Sequence, residues 1–478
     1  MITHFKNVDW VVTYDELTNS HTYQRDLDIV FDESEFIFIG KQYEKRADLV
    51  VDGSEKLLLP GLIDLHSHPS TEPAQRGVRE EHVVPSMDMS SLYQRSTVFR
   101  LDERGKRAAI QVAYGELLRS GVTTVADLSF PFEGWLEQVA KTGMRSYIAP
   151  GYASARWQMR SENQLNFDWD EARGVREFER ALSLIDEAKN HAEGRLDGML
   201  YPAQIDTCTR ELLQESIKVS ADHNLLLTIH IAQSVAEFQE MVFRHGITPI
   251  QWASDIGLLS DRTILGHAIF TDEHSWLSWD TSEDLTLLAK SQVHVAHCPT
   301  PFSRYGQTME DFGRYKKAGV NLVMGTDCSP HNIIEEMRTA LVLSRISACD
   351  GMSVSTSDML HAATVNAARA LRRNDLGKIA LNCLADFIVV DLNHPDMQPV
   401  RDPLRSLVFH AADRAICAVY VSGEKVVEDG VCVRLDSEHA YYELALAQRR
   451  MLDASSSYDY LSRTDDVISP IALPIKSC

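Results

Sequence analysis

The sequence predicts an α/β fold, a TIM-type (β/α)8 barrel joined to a composite β-sandwich that both chain ends form. Eight short apolar runs recur through the middle of the chain with helix-like stretches between them, as expected for parallel strands covered on both faces. Strand-like runs separated by turn residues occupy the two ends instead. The 478 residues are enough for one barrel and a smaller appended unit. The eight runs are LLLPGLIDLHSH, TTVADLS, RSYIAPG, LDGMLYPA, LLLTIHIA, TILGHAI, VHVAHCP and NLVMGTD.

The two strand-rich ends predict one discontinuous β domain. VDWVVTY, LDIVFD and EFIFIG come from the first end, and ADFIVVDL, AICAVYVSG and EKVVEDG from the second. We therefore predict four segments. They are residues 1–58 and 375–435 for the two parts of the sandwich, 59–374 for the barrel, and 436–478 for a C-terminal helix and tail.

The composition argues against several partners. With 69 acidic and 47 basic residues the net charge is −22, which repels phosphate backbones and anionic lipids, so we expect neither a nucleic-acid nor a membrane partner. No basic and apolar leader opens the chain, and no run is long enough for a membrane span. The eight cysteines are scattered without a Cys-x-x-Cys pair, which is typical of free thiols. These features predict a cytoplasmic location.

Histidine and aspartate residues stand at the ends of five predicted strands. In a barrel these strand ends surround one mouth, where active sites lie. His66 and His68 are two apart on a strand, so their side chains point to the same face. One His-x-His pair is weak evidence, because a strand-end histidine is more often a core residue. The full set, in the order that a barrel needs, favours a functional site: His66, His68, His230, His267, His297 and Asp327.

Three imidazoles and a carboxylate suit a borderline divalent metal such as zinc, which keeps an open position for water. We predict His66, His68, His230 and Asp327 as the ligands. Such an ion lowers the pKa of its bound water from about 16 towards about 7 and supplies a hydroxide nucleophile. We further predict that Asp327 accepts the proton of that water, and that His267 orients the nucleophile or polarises the substrate.

These motifs resemble those of the amidohydrolase superfamily, and most closely its deaminase and chlorohydrolase branch. That branch includes triazine hydrolases, guanine deaminase and methylthioadenosine or S-adenosylhomocysteine deaminases. The resemblance spans about residues 5 to 435, and the motifs that carry it are LLLPGLIDLHSH, TIHIAQS, LGHAIF, VAHCPTPFSRYG and MGTDCSPHNIIEEMR. It implies the same four metal ligands, a catalytic His267, and a homodimer or larger homo-oligomer.

The resemblance also implies the number of metal ions. Members with two metals bridge them with a carboxylated lysine on strand four, and LDGMLYPA contains no lysine. We therefore expect one divalent ion per chain, Zn²⁺ or else Fe²⁺.

Two departures from the branch bear on the reaction. Deaminases of this branch have a glutamate three residues after the strand-five histidine, which moves a proton to the heterocycle. This chain has Gln233, whose amide does not exchange a proton at neutral pH. Pro202-Ala203 and Pro301-Phe302 replace the Pro-His and Ser-Asn pairs of nucleoside deaminases, which disfavours an adenosine-type pocket.

Two enzyme hypotheses follow. In the preferred one, a metal-bound hydroxide cleaves an amide, urea or carbamate C–N bond of a small organic substrate that Gln233 holds. In the alternative, a triazine, purine or pyrimidine is deaminated or dechlorinated, and Glu72 is the candidate replacement acid by position. His297 and Trp157 are further predicted substrate contacts. A non-catalytic binding protein on the same fold is the remote alternative, and four competent ligand positions argue against it.

Overall fold

The computed structural model describes residues 1–81, 87–161 and 163–476. Strands and helices alternate through the middle of the chain, and strands dominate the two ends. The strands are β1 (Ile2–Asp15), β2 (Ser20–Asp32), β3 (Glu35–Gly40), β4 (Leu49–Asp52), β5 (Lys56–Pro60), β6 (Leu62–Ser67), β7 (Val122–Ser129), β8 (Arg145–Tyr152), β9 (Ala155–Ser161), β10 (Gln164–Trp169), β11 (Leu196–Pro202), β12 (Leu226–Ile231), β13 (Thr263–His267), β14 (His294–His297), β15 (Asn321–Met324), β16 (Phe387–Asp391), β17 (Ile416–Val421), β18 (Glu424–Glu428) and β19 (Val431–Cys432).

The helices that follow most barrel strands are short and begin at polar caps. Thr209, Ser234 and Asn332, for example, accept backbone N–H bonds at the starts of the helices that follow them. The helices are α1 (Ser90–Val98), α2 (Glu103–Arg119), α3 (Trp135–Lys141), α4 (Glu171–Lys189), α5 (Arg210–His223), α6 (Val235–His245), α7 (Pro249–Asp255), α8 (Asp284–Ser291), α9 (Pro299–Arg304), α10 (Phe312–Ala318), α11 (Ile333–Ala348), α12 (Thr356–Ala362), α13 (Val365–Ala370), α14 (Pro403–Ser406), α15 (Ser437–Ala454) and α16 (Asp465–Ile468).

Eight parallel strands form the predicted barrel, in the order β6, β7, β8, β11, β12, β13, β14 and β15. Every residue of β7, β8, β12 and β13 is buried, which explains why these strands read as continuous apolar runs. A bridge between Ser67 and Asp327 joins the last strand end to the first. There the N–H of Asp327 donates to the carbonyl of His66 at 2.7 Å, and the N–H of His68 donates to the carbonyl of Asp327 at 3.1 Å. The prediction of a barrel is confirmed.

The two chain ends form one β unit, as predicted, but its strands belong to a single nine-stranded hydrogen-bonded sheet. The long strand β1 causes this continuity. It pairs with β2 along one edge, and with β4 and then β5 along the other. A bulge between Phe5 and Val8, with Asn7 at φ 57°, separates the two pairings and bends the strand. Aromatic residues from both ends fill the resulting core, with Phe387 stacked on Tyr420 at 4.5 Å and edge-on to Phe5 at 5.5 Å.

Two further elements lie outside the barrel wall. The segment after β8, which contains Trp157, forms the hairpin β9–β10 that the sequence did not predict, with Trp157 opposite Phe167. The predicted C-terminal helix is α15, and its Leu444 and Met451 pack against Phe99 and Ala109 beside α2. We propose that the segment boundaries predicted near residues 58, 374 and 435 mark the passages between the sheet, the barrel and this helix.

Cysteine and membrane features complete the description. Seven cysteines in the described residues carry free thiols, while Cys478 lies outside the described residues. Within the same ranges, none of the helices has the length and apolar character to cross a bilayer.

Replacing Phe387 with alanine tests the joint core of the two chain ends. The variant loses a fully buried aromatic ring, so we expect the free energy of unfolding to fall by about 3–5 kcal/mol and Tm to fall with it. Thermal denaturation measures the effect, and Leu17→Ala is the control because Leu17 is 95% exposed. Equal Tm values for the two variants would contradict the assignment of this core.

Candidate active site

The barrel strands bring the predicted ligands together at one mouth. His66 ends β6 and is fully buried, while His68 follows it and keeps 18% of its side chain exposed. His230 lies near the end of β12, and Asp327 follows β15. The neighbouring strand leaves room for the His66 ring through Gly266, since a Cβ there would lie 2.4 Å from Cε1 of His66. The site therefore opens towards solvent on the His68 side.

The four donor atoms converge on one point. Nε2 of His230 lies 3.1 Å from Nε2 of His66 and 3.1 Å from Nε2 of His68. Oδ1 of Asp327 lies 3.2 Å from Nε2 of His68 and 3.5 Å from Nε2 of His66. All the donor atoms lie within 4.8 Å of one another. Ligands held at about 2.0–2.1 Å around a tetrahedral ion are separated by about 3.3 Å, so the spacing fits a single divalent metal.

The tautomers of the imidazoles support the same conclusion. Nδ1 of His68 donates to the carbonyl of Leu128 at 2.8 Å, and Nδ1 of His230 donates to the carbonyl of Ala203 at 2.7 Å. Both Nε2 atoms therefore carry lone pairs, and these lone pairs face each other. A cation between them removes the repulsion, so the arrangement suits a metal ion better than a hydrogen-bond network.

Burial and mutual proximity set the charges of the site. Burial, followed by the neighbouring His66 and His68, lowers the pKa of His230 well below its usual range. Burial alone would raise the pKa of Asp327, yet the imidazoles of His66 and His68 close to its carboxylate hold it well below its usual range. Neutral imidazoles beside an ionised carboxylate are the forms that bind metal.

His267 lies next to the ligands without belonging to their donor set. Its ring is 4.6 Å from that of His66 and 5.2 Å from that of His230, and its Nδ1 is buried without a partner among the described residues. Burial lowers its pKa well below the usual range. The ring of Phe302 covers one side of it at 4.4 Å. Its backbone has φ 100°, a conformation that L residues adopt only under local constraint.

The structure places the predicted substrate contacts at different distances from this centre. Gln233 is buried, and its Nε2 donates to Oε1 of Gln204 at 2.6 Å, so two neutral amides stand together beyond β11 and β12. His297 is buried at the end of β14, where burial lowers its pKa to about 3. Its Nδ1 also has no partner among the described residues, and its role as a substrate contact remains a prediction.

Glu72 and Trp157 are engaged in other contacts. The N–H of Glu72 donates to the carbonyl of His68, and its carboxylate accepts a bond of 3.3 Å from the buried Arg95. Trp157, on the β9–β10 hairpin, donates from Nε1 to Asp206 at 3.0 Å and packs edge-on against Tyr93 at 4.8 Å. Both residues border the mouth, and both remain predictions as substrate contacts.

Sequence reasoning missed several residues that support the site. Tyr201 on β11 places its hydroxyl 3.4 Å from Nδ1 of His230, on the strand where two-metal members carry a lysine. Asp64 accepts the N–H of His66 at 3.0 Å and the hydroxyl of Thr326 at 2.6 Å, which ties the first strand to the last. Glu237 is fully buried in the first turn of α6. The pattern Ser234-x-x-Glu237 directly after the β12 motif is a helix-start signal that would have drawn attention to it.

Comparison with known proteins agrees with this geometry. Residues 57–426 match the amidohydrolase family. The 5'-deoxyadenosine deaminase of Methanosphaera stadtmanae is 27% identical over 85% of this chain and 90% of its own length. The 5-methylthioadenosine/S-adenosylhomocysteine deaminase of Thermococcus kodakarensis is 28% identical over 83% of this chain and 88% of its own length. The crystal structure of atrazine chlorohydrolase from Arthrobacter aurescens, complexed with zinc, superposes with a TM-score of 0.78 at 23% identity over 93% of this chain and all of that one.

The family match covers most of the chain, from β5 to β18, and includes every strand that contributes to the ligand cluster. The protein therefore belongs to the amidohydrolase family, as a metal-dependent enzyme that hydrolyses C–N bonds other than peptide bonds in small molecules.

Proposed function

We propose that the protein is a mononuclear, zinc-dependent hydrolase that cleaves an amide, urea or carbamate C–N bond of a small organic molecule. The observation that carries this proposal is Gln233. The residue is buried beside the ligands and paired with a second neutral amide, Gln204, where a proton shuttle for heterocycle deamination would need a carboxyl group. We also propose a cytoplasmic location and a homodimeric or larger assembly.

Each residue has a distinct part in the proposed reaction. The divalent ion supplies Lewis acidity, which lowers the pKa of a water molecule at the open coordination position. Oδ1 of Asp327 faces the imidazoles of His66 and His68, and its Oδ2, which the Cys328 thiol contacts at 3.5 Å, accepts a proton and passes it to the leaving amine. His267 donates to the developing negative charge on the substrate carbonyl oxygen. Oε1 of Gln233 accepts an N–H of the substrate, while one N–H of its Nε2 donates to Gln204.

Hydrolytic deamination or dechlorination of an N-heterocycle is the second candidate. The names of the relatives favour it, since two are nucleoside deaminases and one is a chlorohydrolase. Glu72 would then have to supply the acid, but Arg95 holds its carboxylate in an ion pair. A carboxylate that contacts Arg95 is poorly placed to contact a heterocycle, so amide-type cleavage is the preferred function.

Replacing His68 with alanine tests the metal centre. Elemental analysis of the wild-type protein should give about one zinc per chain, and His68→Ala should lose both the metal and turnover because one of four ligands is gone. His410→Ala is the control, since His410 is an exposed histidine outside the site. Two metal ions per wild-type chain, or full activity of metal-free protein, would overturn the mononuclear assignment.

A substrate panel tests the reaction class. The zinc-loaded enzyme is offered 4-nitroacetanilide, phenylurea, a phenylcarbamate, a chlorotriazine and aminopurines, and released amine, ammonia and chloride are measured. We expect amine release from the amide, urea or carbamate to exceed the release of ammonia or chloride from the heterocycles. Rapid purine or triazine turnover would instead establish the second candidate.

The variant Gln233→Glu tests whether residue 233 causes the preference for amide-type substrates over N-heterocycles. A carboxyl group at this position restores a proton donor and acceptor, so the ratio of heterocycle deamination to amide cleavage should rise by about 10²-fold, the usual contribution of one acid–base group. Gln233→Leu is the matched control, because it also removes the amide but adds no titratable group. An unchanged ratio in Gln233→Glu would show that residue 233 does not determine the reaction.

A further inference from the structure

Glu237 holds the backbone that follows the metal ligand His230. The N–H of Ala232 donates to its Oε1 at 2.5 Å, and the N–H of Gln233 donates to its Oε2 at 3.2 Å. Each carboxylate oxygen therefore accepts one backbone bond. Ala232 has φ 52°, a left-handed conformation that costs a non-glycine residue about 1 kcal/mol and persists only where neighbours enforce it. The two bonds from Glu237 supply that constraint.

The two peptides whose N–H groups bond Glu237 also anchor the segment that carries His267. The carbonyl of Ala232 accepts the N–H groups of Ile269 and Phe270, both at 2.9 Å, and the carbonyl of Ile231 accepts the N–H of Ala268 at 3.0 Å. His267 and Ala268 have φ 100° and 44°, so this segment is also held away from relaxed backbone geometry. Glu237 thus contacts the two peptides on either side of Ala232. The carbonyls of these peptides contact the turn that sets the direction of the His267 ring.

Helix capping alone does not account for a carboxylate at this position. Ser234 already caps α6, since its Oγ accepts the N–H of Glu237 at 3.0 Å. The Glu237 side chain is fully buried and lies near a second buried carboxyl, Asp206, whose Oδ1 has no partner among the described residues. Burial and the charge of Asp206 raise the pKa of Glu237, while the bonds from Gln233 and Ala232 lower it. Burying a carboxylate costs free energy. Here that cost is offset by the constraint that Glu237 places on the active-site backbone.

We propose that Glu237 is a positioning residue that orients both Gln233 and His267 relative to the metal ligands. Its two oxygens hold successive peptides. Oε2 accepts from the peptide between Ala232 and Gln233, whose carbonyl anchors Ile269 and Phe270, and Oε1 accepts from the peptide between Ile231 and Ala232, whose carbonyl anchors Ala268. The inference depends on the proposed function only for the role of Gln233.

Two substitutions remove one or both of the backbone hydrogen bonds that Glu237 accepts. In Glu237→Gln, the side-chain oxygen keeps its bond to the Ala232 N–H, while the new NH2 group faces the Gln233 N–H and cannot accept it. In Glu237→Ala both bonds are lost. The matched control is Asp28→Asn, because Asp28 is a buried carboxylate in the end sheet that likewise accepts one backbone N–H on each oxygen, from Asn7 and Tyr43, both at 2.9 Å.

Steady-state kinetics of the zinc-loaded proteins on 4-nitroacetanilide give the first measurement. We expect Glu237→Gln to lower kcat/KM by about 10-fold, because one of the two peptides that position Gln233 and His267 has lost its acceptor. Glu237→Ala should in addition lower kcat by about 10²-fold, because a misplaced His267 loses alignment with the substrate. Asp28→Asn should lower Tm and leave both constants unchanged. Glu237 variants that behave like Asp28→Asn would show that the residue is only structural and overturn the proposal.

Hydrogen exchange followed by mass spectrometry gives the second measurement and needs no substrate. Peptides covering residues 231–234 should exchange about 10-fold faster in Glu237→Gln, since a buried amide has lost its acceptor. Peptides covering residues 267–271 should accelerate in both variants and more in Glu237→Ala, because there both peptides that anchor this segment lose their acceptor. Faster exchange spread over all of α6 in Glu237→Gln would overturn the proposal. If the wild-type enzyme does not cleave 4-nitroacetanilide, the amide chemistry of the proposed function fails on that probe, and hydrogen exchange decides the role of Glu237.

Discussion

The contact between the last and first barrel strands underlies both the fold and the chemistry of this protein. Asp327 donates its N–H to the carbonyl of His66 and accepts the N–H of His68, so the residues that close the barrel are also three of the four metal ligands. A slip of one residue between β6 and β15 would turn one of these side chains out of the mouth, because strand residues alternate between faces. Barrel closure and ligand geometry are therefore a single constraint.

The buried residues around the ligands extend that constraint inwards. Asp64 joins β6 to Thr326, and Gly266 leaves the space that the His66 ring occupies. Backbone carbonyls of neighbouring strands hold the imidazoles of His68 and His230 in the neutral tautomers that a metal requires. The cluster thus owes its geometry to hydrogen bonds made by the barrel wall, and the metal is added to a site that is already arranged.

The backbone and side chains of the mouth above the ligands are less regular than the ligand cluster. Gln233 and Gln204 offer neutral amides, and Phe302 covers the ring of His267. Left-handed backbone at Ala232, His267 and Ala268 is held by bonds that run to Glu237. The candidate metal centre is therefore combined with a mouth whose polarity is set by a few side chains, and we propose that these side chains govern which leaving group can be protonated.

Periodicity and strand-end chemistry predicted the barrel and the ligand set, because buried parallel strands are mostly continuous apolar runs and histidine and aspartate residues stand at their ends. The β9–β10 hairpin was not predicted, since it pairs only with itself and its residues are half-exposed and mixed in character. The single sheet at the chain ends also escaped prediction, because β1 changes partners at a bulge that composition does not mark.

Residue types and their spacing were enough to predict the family, the four candidate ligand side chains and an amide in place of a carboxyl group at residue 233. Each of these depends on residue type and on spacing along one strand, which are local properties. Only the tertiary structure decided that Glu72 is held by Arg95, that Gln204 pairs with Gln233, and that Glu237 reaches the backbone beside His230. Those contacts join different elements of the chain, and a buried polar group takes its role from the partners that folding brings to it.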